Sequence, residues 1–374
     1  MTLTAPEAQT QMLGCGAAMK MLAQMFADKT LAGSWLFCGP KGVGKATLAY
    51  RLARYVLANS SGGGASLFGV PAISDTLQTN PDDYAFRAVA ARTHPDLAVL
   101  ERALTEKELK DRQAILDAGK PLDAEAEKFR KRNNEIRVED VRKVDDFLHR
   151  TSASGGWRVL IVDSADDMNA NAANAFLKSL EEPAPDTLMI LIAHHPASLL
   201  PTIRSRCRKI TLQPLNDADM QTLAAQYLPD AEAHERDALC TLAQGSIGDA
   251  IFLAQNGGAA LYENLLTLFR SFPDFDIPAL YAFAEKSLKE KDAADVMRKF
   301  WSLLLNKALL TKFGRAAASG VFEAEADVLV RLAALPAEFL LDEAPAAQSL
   351  LADADLDAKQ VFVNMCLRLQ RGGA

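Results

Sequence analysis

The feature that most constrains this chain is a glycine-rich stretch from Gly39 to Thr47, which reads GPKGVGKAT. It follows the apolar run Trp35 to Cys38, which is typical of a buried strand, and it precedes Leu48 to Leu57, whose apolar residues have helical spacing. A glycine loop between a strand and a helix is the context that a phosphate-binding loop requires. Its backbone N–H groups turn toward phosphate oxygens, and the helix adds its positive end. The alternative is a glycine-rich turn that arose by chance, and the predicted strand and helix on either side of the loop argue against it.

Five residues of this loop are expected to hold a nucleotide: Gly39, Gly42, Gly44, Lys45 and Thr47. The lysine is expected to reach the outer phosphates. The next position should be Ser or Thr, whose hydroxyl holds magnesium, but here it is Ala46. The threonine comes one place later, and one step along a helix turns a side chain by about 100°. The loop is therefore predicted to bind ATP or ADP but to be poorly suited to magnesium and to hydrolysis.

Composition limits the classes of protein to consider. A chain of 374 residues with 49% hydrophobic and 24% charged residues is typical of a globular protein of two or three domains. Its net charge of −7 argues against a free-standing nucleic-acid binder. No apolar run is long enough to span a membrane and no signal peptide is recognisable, so we expect a cytoplasmic protein. The five cysteines are scattered, which indicates neither disulfides nor a zinc site.

Short apolar runs alternate with helical patterns through the first part of the chain. The predicted strands after the first are 97–100, 158–163, 188–193 and 209–212. This alternation predicts an α/β domain with a parallel sheet that carries helices on both faces. After Pro214 the pattern is helical to the end, and Gly257-Gly258 is a candidate boundary within it.

Residues 101–134 differ from the rest of the chain in composition. Of these 34 residues 17 are charged, eight acidic and nine basic. Mixed charge at that density favours a solvated helix over a core element, so we expect an exposed helical insertion. A basic arm that contacts DNA is the alternative, but the acidic residues cancel the basic ones.

Polar residues follow two of the predicted strands. Asp163 ends an apolar run, as does the acid that holds the magnesium shell in P-loop proteins, and a helix N-cap is its other interpretation. The next residue is Ser164. His194 and His195 end a later strand, where they are interpreted as loop histidines, because no third ligand for a metal is evident.

Several stretches in combination resemble the AAA+ clamp-loader family of bacterial replicases. They are 35–48, 93–96 (THPD), 159–166, 172–183 (AANAFLKSLEEP) and 199–207 (LLPTIRSRC), of which the last two are highly specific together. The resemblance implies an AAA+ P-loop domain over 1–213, an all-α lid domain over 214–260, and an all-α, collar-like oligomerisation domain over 261–374. It also implies a hetero-oligomer with other clamp-loader subunits, gamma or tau and delta. The sliding clamp and primer-template DNA would be reached through the assembled complex during DNA replication.

Three departures from the family's motor subunits, gamma and tau, all indicate a loss of ATPase activity. The motors carry Ser or Thr at position 46, an acidic residue at position 164, and arginine where this chain has Gly248. Asp163 is then a degenerate Walker B residue. Many members also hold zinc through four cysteines after the P-loop helix, and residues 59–72 contain none, so no zinc is expected. The chain is expected to lack ATPase activity of its own, as a component of the DNA polymerase III holoenzyme.

The segment Ser205-Arg206-Cys207 keeps the family pattern. In the family this arginine reaches the neighbouring subunit's ATP site, so Arg206 is expected to act in trans as an arginine finger. A surface salt bridge is the alternative role for that residue. Two alternatives remain for the whole chain: a catalytically active ATPase of the gamma or tau type, and a general P-loop kinase or nucleotide transferase.

Overall fold

The computed structural model describes residues 5–60, 75–118, 131–289, 292–315, 320–352 and 356–372, with the backbone alone at 347, 348 and 352. The chain divides into two compact units, Met1–Pro214 and Leu215–Ala374. The described helices are neither long enough nor apolar enough for any of them to cross a membrane.

Strands and helices alternate along the described residues of the first unit. In chain order they are α1 Gly16–Ala27, β1 Gly33–Cys38, α2 Lys45–Ser60, α3 Tyr84–Ala90, β2 Leu97–Leu100, α4 Glu106–Asp117, α5 Val138–His149, β3 Arg158–Val162, a 3₁₀ turn Ala165–Asp167, α6 Ala170–Glu181, β4 Thr187–Ala193, α7 Pro201–Arg206 and β5 Arg208–Thr211.

The five strands form one sheet in the order β2-β3-β4-β1-β5. Every neighbouring pair is parallel, with Trp35 of β1 opposite Ile190 of β4 on one side and Arg208 of β5 on the other. All carboxyl ends therefore meet at one edge of the sheet, where ligands bind in open α/β folds. The predicted parallel sheet is confirmed, and the residues that follow β1, β2, β3 and β4 converge at this edge.

Helices cover both faces of the sheet, because alternate strand residues point to opposite sides. Phe37 and Ile161 belong to a buried cluster with residues of α1 and α2. Their neighbours Leu36 and Leu160 belong to a second cluster with residues of α5 and α6. Strand β4 is buried along all seven residues, as expected for a strand covered on both faces.

The motif at residues 93–96 has a structural role. Asp96 is 2% exposed. It accepts hydrogen bonds from the backbone N–H of Ala153 (2.7 Å) and from the N–H and hydroxyl of Ser154 (3.0 and 2.5 Å). Burial alone would raise the pKa of Asp96, but these bonds outweigh it and the pKa lies below its usual range. The carboxylate thus fastens the start of β2 to the turn before β3.

The second unit is helical throughout its described residues, as the sequence predicts. Its helices are α8 Asp217–Tyr227, α9 Ala233–Ala243, α10 Ile247–Gln255, α11 Gly258–Phe269, α12 Ile277–Ser287, α13 Ala293–Lys312, α14 Glu325–Ala333, α15 Ala337–Ala352 and α16 Ala358–Gly372. One hydrophobic cluster runs from Ala238 to Leu369 and contains Trp301 and Phe362. The division of this unit at residue 260 stays a prediction.

The charged insertion leaves and rejoins the first unit through a short antiparallel pairing. Thr105 N–H donates to the carbonyl of Lys131 (3.0 Å) and Asn133 N–H donates to that of Ala103 (2.8 Å). Between them, Arg132 pairs with Glu101 at 3.0 Å. Helix α4 has no buried residue, so this part of the insertion is an exposed helix. The predicted break at 119–121 lies outside the described residues.

Replacing residues 106–129 by a short Gly/Ser linker is expected to leave the thermal midpoint within a few degrees. Helix α4 contributes no buried residue, and changing the length of an exposed loop alters closure entropy by only about 0.6 kcal/mol per doubling. Thermal unfolding followed by circular dichroism measures this. A large loss of helicity or solubility would show that the segment packs against the protein.

Candidate functional site

The phosphate-binding loop connects β1 to α2 in a conformation that only glycine adopts easily. Gly39, Gly42 and Gly44 have φ of 140°, 79° and 96°. A Cβ on Gly39 would also lie 2.4 Å from the carbonyl oxygen of Leu212. The sequence therefore needs glycine here both for the backbone turn and for the close approach of the segment after β5. The predicted strand, loop and helix are all present.

Lys45, the first residue of α2, is folded against its own loop. Its Nζ donates to the carbonyls of Gly39 (2.7 Å) and Pro40 (2.6 Å), and the residue is 3% exposed. Burial lowers the pKa of Lys45 to about 8, although the carboxylates of Asp166 and Asp163 act to raise it. The ammonium is thus a buried cation near two acids, at the place where phosphate oxygens would compete with the loop carbonyls.

The two positions after the lysine differ in surroundings. Ala46 packs against the hydrophobic cluster beneath α1 and α2 and offers no oxygen. Thr47 lies in the first turn of α2 and is half-buried. The position that should carry a magnesium-binding hydroxyl is therefore apolar in this fold.

Asp163 lies directly after β3 and is half-buried. Burial raises the pKa of its carboxyl, with a further contribution from Glu101, while Arg92 opposes the shift. Ser164, and not Asp163, precedes the 3₁₀ turn, so the N-cap interpretation of Asp163 is wrong. The carboxylate faces a network in which Arg92 binds Glu7 (2.6 Å) and Glu101 (2.9 Å).

His194 and Asp166 belong to the candidate site, although the sequence alone did not assign them to it. Asp166 Oδ2 accepts hydrogen bonds from the backbone N–H groups of His194 (3.0 Å) and His195 (2.7 Å). The His194 Nε2 lies 3.2 Å from Ser164 Oγ. Burial, then the charge of Lys45, lowers the pKa of His194 to about 4, so the imidazole is neutral at physiological pH.

These contacts join the ends of β3 and β4 into one polar cluster. Asp166 Oδ1 and His194 Nδ1 are buried and have no hydrogen-bond partner within the described residues. The same part of the chain contains no group of three or more His, Cys, Asp or Glu residues arranged to hold a metal ion. Both histidines follow the last residue of β4, and the charge of Lys45 contributes to lowering the pKa of one of them, His194.

Arg206 is the last residue of α7. Its Nη2 donates to Glu181 Oε1 at 2.7 Å and its Nη1 donates to the carbonyl of Thr202 at 3.0 Å. The two side chains of this ion pair are 36% and 50% exposed, so the alternative of a surface salt bridge describes its geometry in this structure. A guanidinium has five N–H donors, and these two bonds leave others for a second partner.

Gly248, which stands where the motor subunits carry arginine, lies in the second unit. Ser246 caps α10 by accepting a hydrogen bond from the N–H of Asp249 at 3.1 Å, and Gly248 lies between them in the first turn. Asp249 also forms an ion pair with Lys299 at 2.8 Å. The motif at residues 245–250 thus builds a capped helix start without a cation at position 248.

A family model described as DNA polymerase III, delta subunit, matches residues 15–216, which is more than half of the chain. A curated relative from Pseudomonas aeruginosa, DNA polymerase III subunit delta′, is 35% identical over 216 residues, 58% of this chain and 53% of the relative. The protein of the same name from Bacillus subtilis is 27% identical over 238 residues, 64% of this chain and 58% of the relative. The chain thus spans little more than half the length of the curated relatives it matches.

A solved structure of a DNA polymerase III gamma subunit-related protein from Thermotoga maritima aligns over 95% of this chain and 99% of its own, with 14% identity and a TM-score of 0.43. The assignment itself rests on the family model and the curated relatives, and the residues that the family model matches include the sheet, the phosphate-binding loop and the arginine at the end of α7. The chain therefore belongs to the DNA polymerase III delta-subunit family, and its curated relatives place it with the delta-prime members.

Proposed function

We propose that this chain is a non-hydrolysing subunit of the DNA polymerase III clamp loader. It would assemble with gamma or tau and delta subunits, and through the assembled complex act on the sliding clamp and primer-template DNA. The observation that carries the proposal is a phosphate-binding loop with its glycine conformations intact and its catalytic neighbours replaced. Ala46 offers no magnesium ligand and Ser164 offers no carboxylate to polarise water.

The loop is suited to hold ATP or ADP. The backbone N–H groups of the glycine loop and of the α2 start would face the phosphates, and Lys45 would exchange its two carbonyl partners for phosphate oxygens. A bound magnesium ion would supply charge neutralisation, and Asp163 would face it, but the hydroxyl ligand is missing at position 46. The residues therefore fit the phosphates better than the metal.

The chemical contribution of the subunit would come from Arg206. Charge builds on the γ-phosphate oxygens during transfer, and a planar guanidinium stabilises it with two parallel hydrogen bonds. Arg206 is at a helix end and partly exposed, as a residue that reaches a neighbouring subunit must be. Its partner Glu181 would hold the guanidinium until the neighbour's nucleotide competes for it.

The test of the assignment is reconstitution. The tagged chain should recover gamma or tau and delta subunits from cell extract, and the purified chain alone should not turn over ATP. Hydrolysis by the isolated chain at rates typical of clamp-loader motors would overturn the non-hydrolysing role. Recovery of no replicase subunit would overturn the assignment to the complex.

A catalytically active subunit of the gamma or tau type is the second candidate. Lys45 and Asp163 are present, and Thr47 lies in the first turn of α2 within one position of the usual hydroxyl. Nucleotide titration with and without magnesium separates the candidates. Affinity that does not depend on magnesium favours the first, and strong dependence favours the second.

Replacing Lys45 by alanine is expected to leave clamp loading by the assembled complex nearly unchanged. In the proposed function this site does not hydrolyse ATP. The variant should therefore bind nucleotide more weakly, but it has no catalytic activity to lose. Loading assays with the reconstituted complex measure this, with the corresponding lysine variant of a motor subunit as the matched comparison. An equal loss of loading in both variants would mean that this loop hydrolyses ATP.

Nucleotide affinity is expected to fall as pH rises above 8. Burial lowers the pKa of Lys45 to about 8 in the free protein, and phosphate oxygens would raise it in the complex. Binding then takes up a proton above pH 8, so affinity is fully present below that pH and falls by up to about tenfold per pH unit above it. Calorimetric titration of ADP at pH 7 and pH 9 measures the change. A constant affinity over this range would contradict it.

A further inference from the structure

Two buried arginines line a cavity of about 350 Å³ beside α2, away from the phosphate-binding loop. Arg51 is 4% exposed and Arg54 is 1% exposed. The walls also include Thr10, Thr79, Asn80 and the ring of Phe86, on which the Arg54 guanidinium stacks at 4.5 Å. Arginine is almost never buried unless it is paired, so two of them at one cavity need an explanation.

Their hydrogen bonds are all to neutral groups. Arg51 donates from Nε to the carbonyl of Thr76 (2.7 Å) and from Nη1 to that of Thr10 (2.6 Å). Arg54 donates from Nη1 to the carbonyl of Glu7 (2.5 Å) and from Nη2 to that of Gln9 (2.6 Å). Its Nε is buried without a hydrogen-bond partner in the described part of the chain. The bonds hold the N-terminal segment on α2 but neutralise no charge.

No carboxylate balances the two guanidiniums among the residues that the structure describes. Glu7 is the acid whose charge acts on Arg54, but its carboxylate accepts a hydrogen bond from Arg92 at 2.6 Å. Residues 61–74, which precede the cavity wall in sequence, contain neither Asp nor Glu. Burial lowers the pKa of both arginines, and repulsion from Arg51 lowers that of Arg54 further, to about 10. Both remain cations at neutral pH, and burying them together without an anion is costly.

We propose that this cavity binds a tetrahedral oxyanion, a phosphate group that is either free or part of a monoester. The fork of a guanidinium matches two phosphate oxygens, and the described residues supply no acceptor for the buried Nε of Arg54. Thr79 and Asn80 add polar groups at the wall, and the volume falls in the range of small-ligand sites. The bound anion would tie the segment around residues 7–10 and the wall around residues 76–80 to α2. This site is independent of the proposed clamp-loader role.

The experiment must first remove the phosphate-binding loop as a competing site. In the full-length Lys45→Ala variant, we expect inorganic phosphate and adenosine 5′-monophosphate to raise the thermal midpoint at constant ionic strength, in proportion to the logarithm of concentration above Kd. Calorimetric titration gives the stoichiometry, which we expect to be one. Binding of phosphate alone supports a site for the free anion, and binding of both supports a site for a monoester. If neither phosphate nor adenosine 5′-monophosphate binds, the proposal is overturned.

Asn80→Asp, added to Lys45→Ala, tests whether the anion binds in this cavity. The asparagine Oδ1 accepts a hydrogen bond from the N–H of Asp82 at 3.0 Å, and a carboxylate of the same shape keeps that bond. The new charge would occupy the wall of the cavity, so we expect phosphate affinity to fall at least tenfold. Asn364→Asp is the matched control, because that exposed Oδ1 also accepts one hydrogen bond, from Gln360 at 3.3 Å. Affinity that survives Asn80→Asp, or that falls equally in the control, overturns the assignment to this cavity.

Discussion

Replacing Arg206 by alanine is expected to lower the DNA-stimulated ATPase and the clamp-loading rate of the assembled complex, while the chain folds and assembles normally. In the GTPases where arginine fingers have been quantified, the contribution is on the order of 10³–10⁵ in rate. Total turnover should fall by less than that, because the other sites of a clamp loader have their own arginines. Steady-state ATPase and loading assays on the reconstituted complex measure both effects.

The fold should tolerate the change because the ion pair of Arg206 with Glu181 is exposed. The side chains are 36% and 50% accessible, and pairs of this kind contribute about 0–1 kcal/mol to stability. The thermal midpoint of Arg206→Ala should therefore stay within a few degrees of the unmodified chain. A weak pair is also compatible with the proposed role, because a neighbour's phosphate can displace Glu181 at small cost.

Two variants make the test specific. Arg206→Lys should rescue the rate poorly, since an ammonium keeps the charge but loses the planar fork. Arg204→Ala is the matched control, because Arg204 is an exposed arginine in the same last turn of α7. Arg208 is less suitable, since it donates to the carbonyl of Thr30 at 2.7 Å and stacks on Trp35. Unchanged ATPase and loading in Arg206→Ala would leave that residue with the salt bridge alone.

The strands and most helices could be predicted because their local signals agree with the tertiary structure. Helix α6 shows this well: Asn169 caps it by accepting the N–H of Ala172 at 2.9 Å, and Pro183 follows its last turn. Strand β4 is an unbroken apolar run, and it lies at the centre of the sheet with both faces covered. In such segments the local preference and the burial pattern require the same structure.

The polar cluster around the phosphate-binding loop could not be predicted in full, because it depends on strand order. Asp166 lies beyond the end of β3, where the sequence assigns it no role, and the sequence indicates only a loop residue at His194. They meet because β3 and β4 are adjacent and parallel, which brings both carboxyl ends to the same edge. Local sequence patterns do not predict which strands are neighbours in the sheet. A search for polar residues in the first turn after every buried strand would have identified both.

The arginines of α2 show a different limit. Periodicity assigned the apolar face of this helix correctly, but it treats Arg51 and Arg54 as exposed positions. Both are buried because the N-terminal segment offers them three backbone carbonyls, of Glu7, Gln9 and Thr10, and Thr76 offers a fourth. An extended segment without apolar periodicity gives no signal of where it packs, so neither the burial nor the cavity could be expected from the sequence.

The second unit contains a buried polar group whose loss should be strongly destabilising. Glu325 is 0% exposed. Its carboxylate accepts hydrogen bonds from Tyr262 Oη at 3.0 Å and from Lys307 Nζ at 2.6 Å. These contacts join α11, α13 and the start of α14 inside the hydrophobic cluster of this unit. The ammonium supplies the charge that compensates a carboxylate removed from water.

Lys307→Met is therefore expected to lower the free energy of unfolding by about 3–5 kcal/mol, because removing one partner of a buried pair leaves the other charge uncompensated. For a unit of this size that corresponds to a fall of roughly 10 °C in thermal midpoint. Adding Glu325→Leu to Lys307→Met should recover most of the loss, since the double variant buries no charge. The matched control is Lys299→Met, which removes the more exposed pair with Asp249 at 2.8 Å and should cost about 1 kcal/mol or less. Equal losses in Lys307→Met and Lys299→Met would show that burial of Glu325 carries no special cost in this unit.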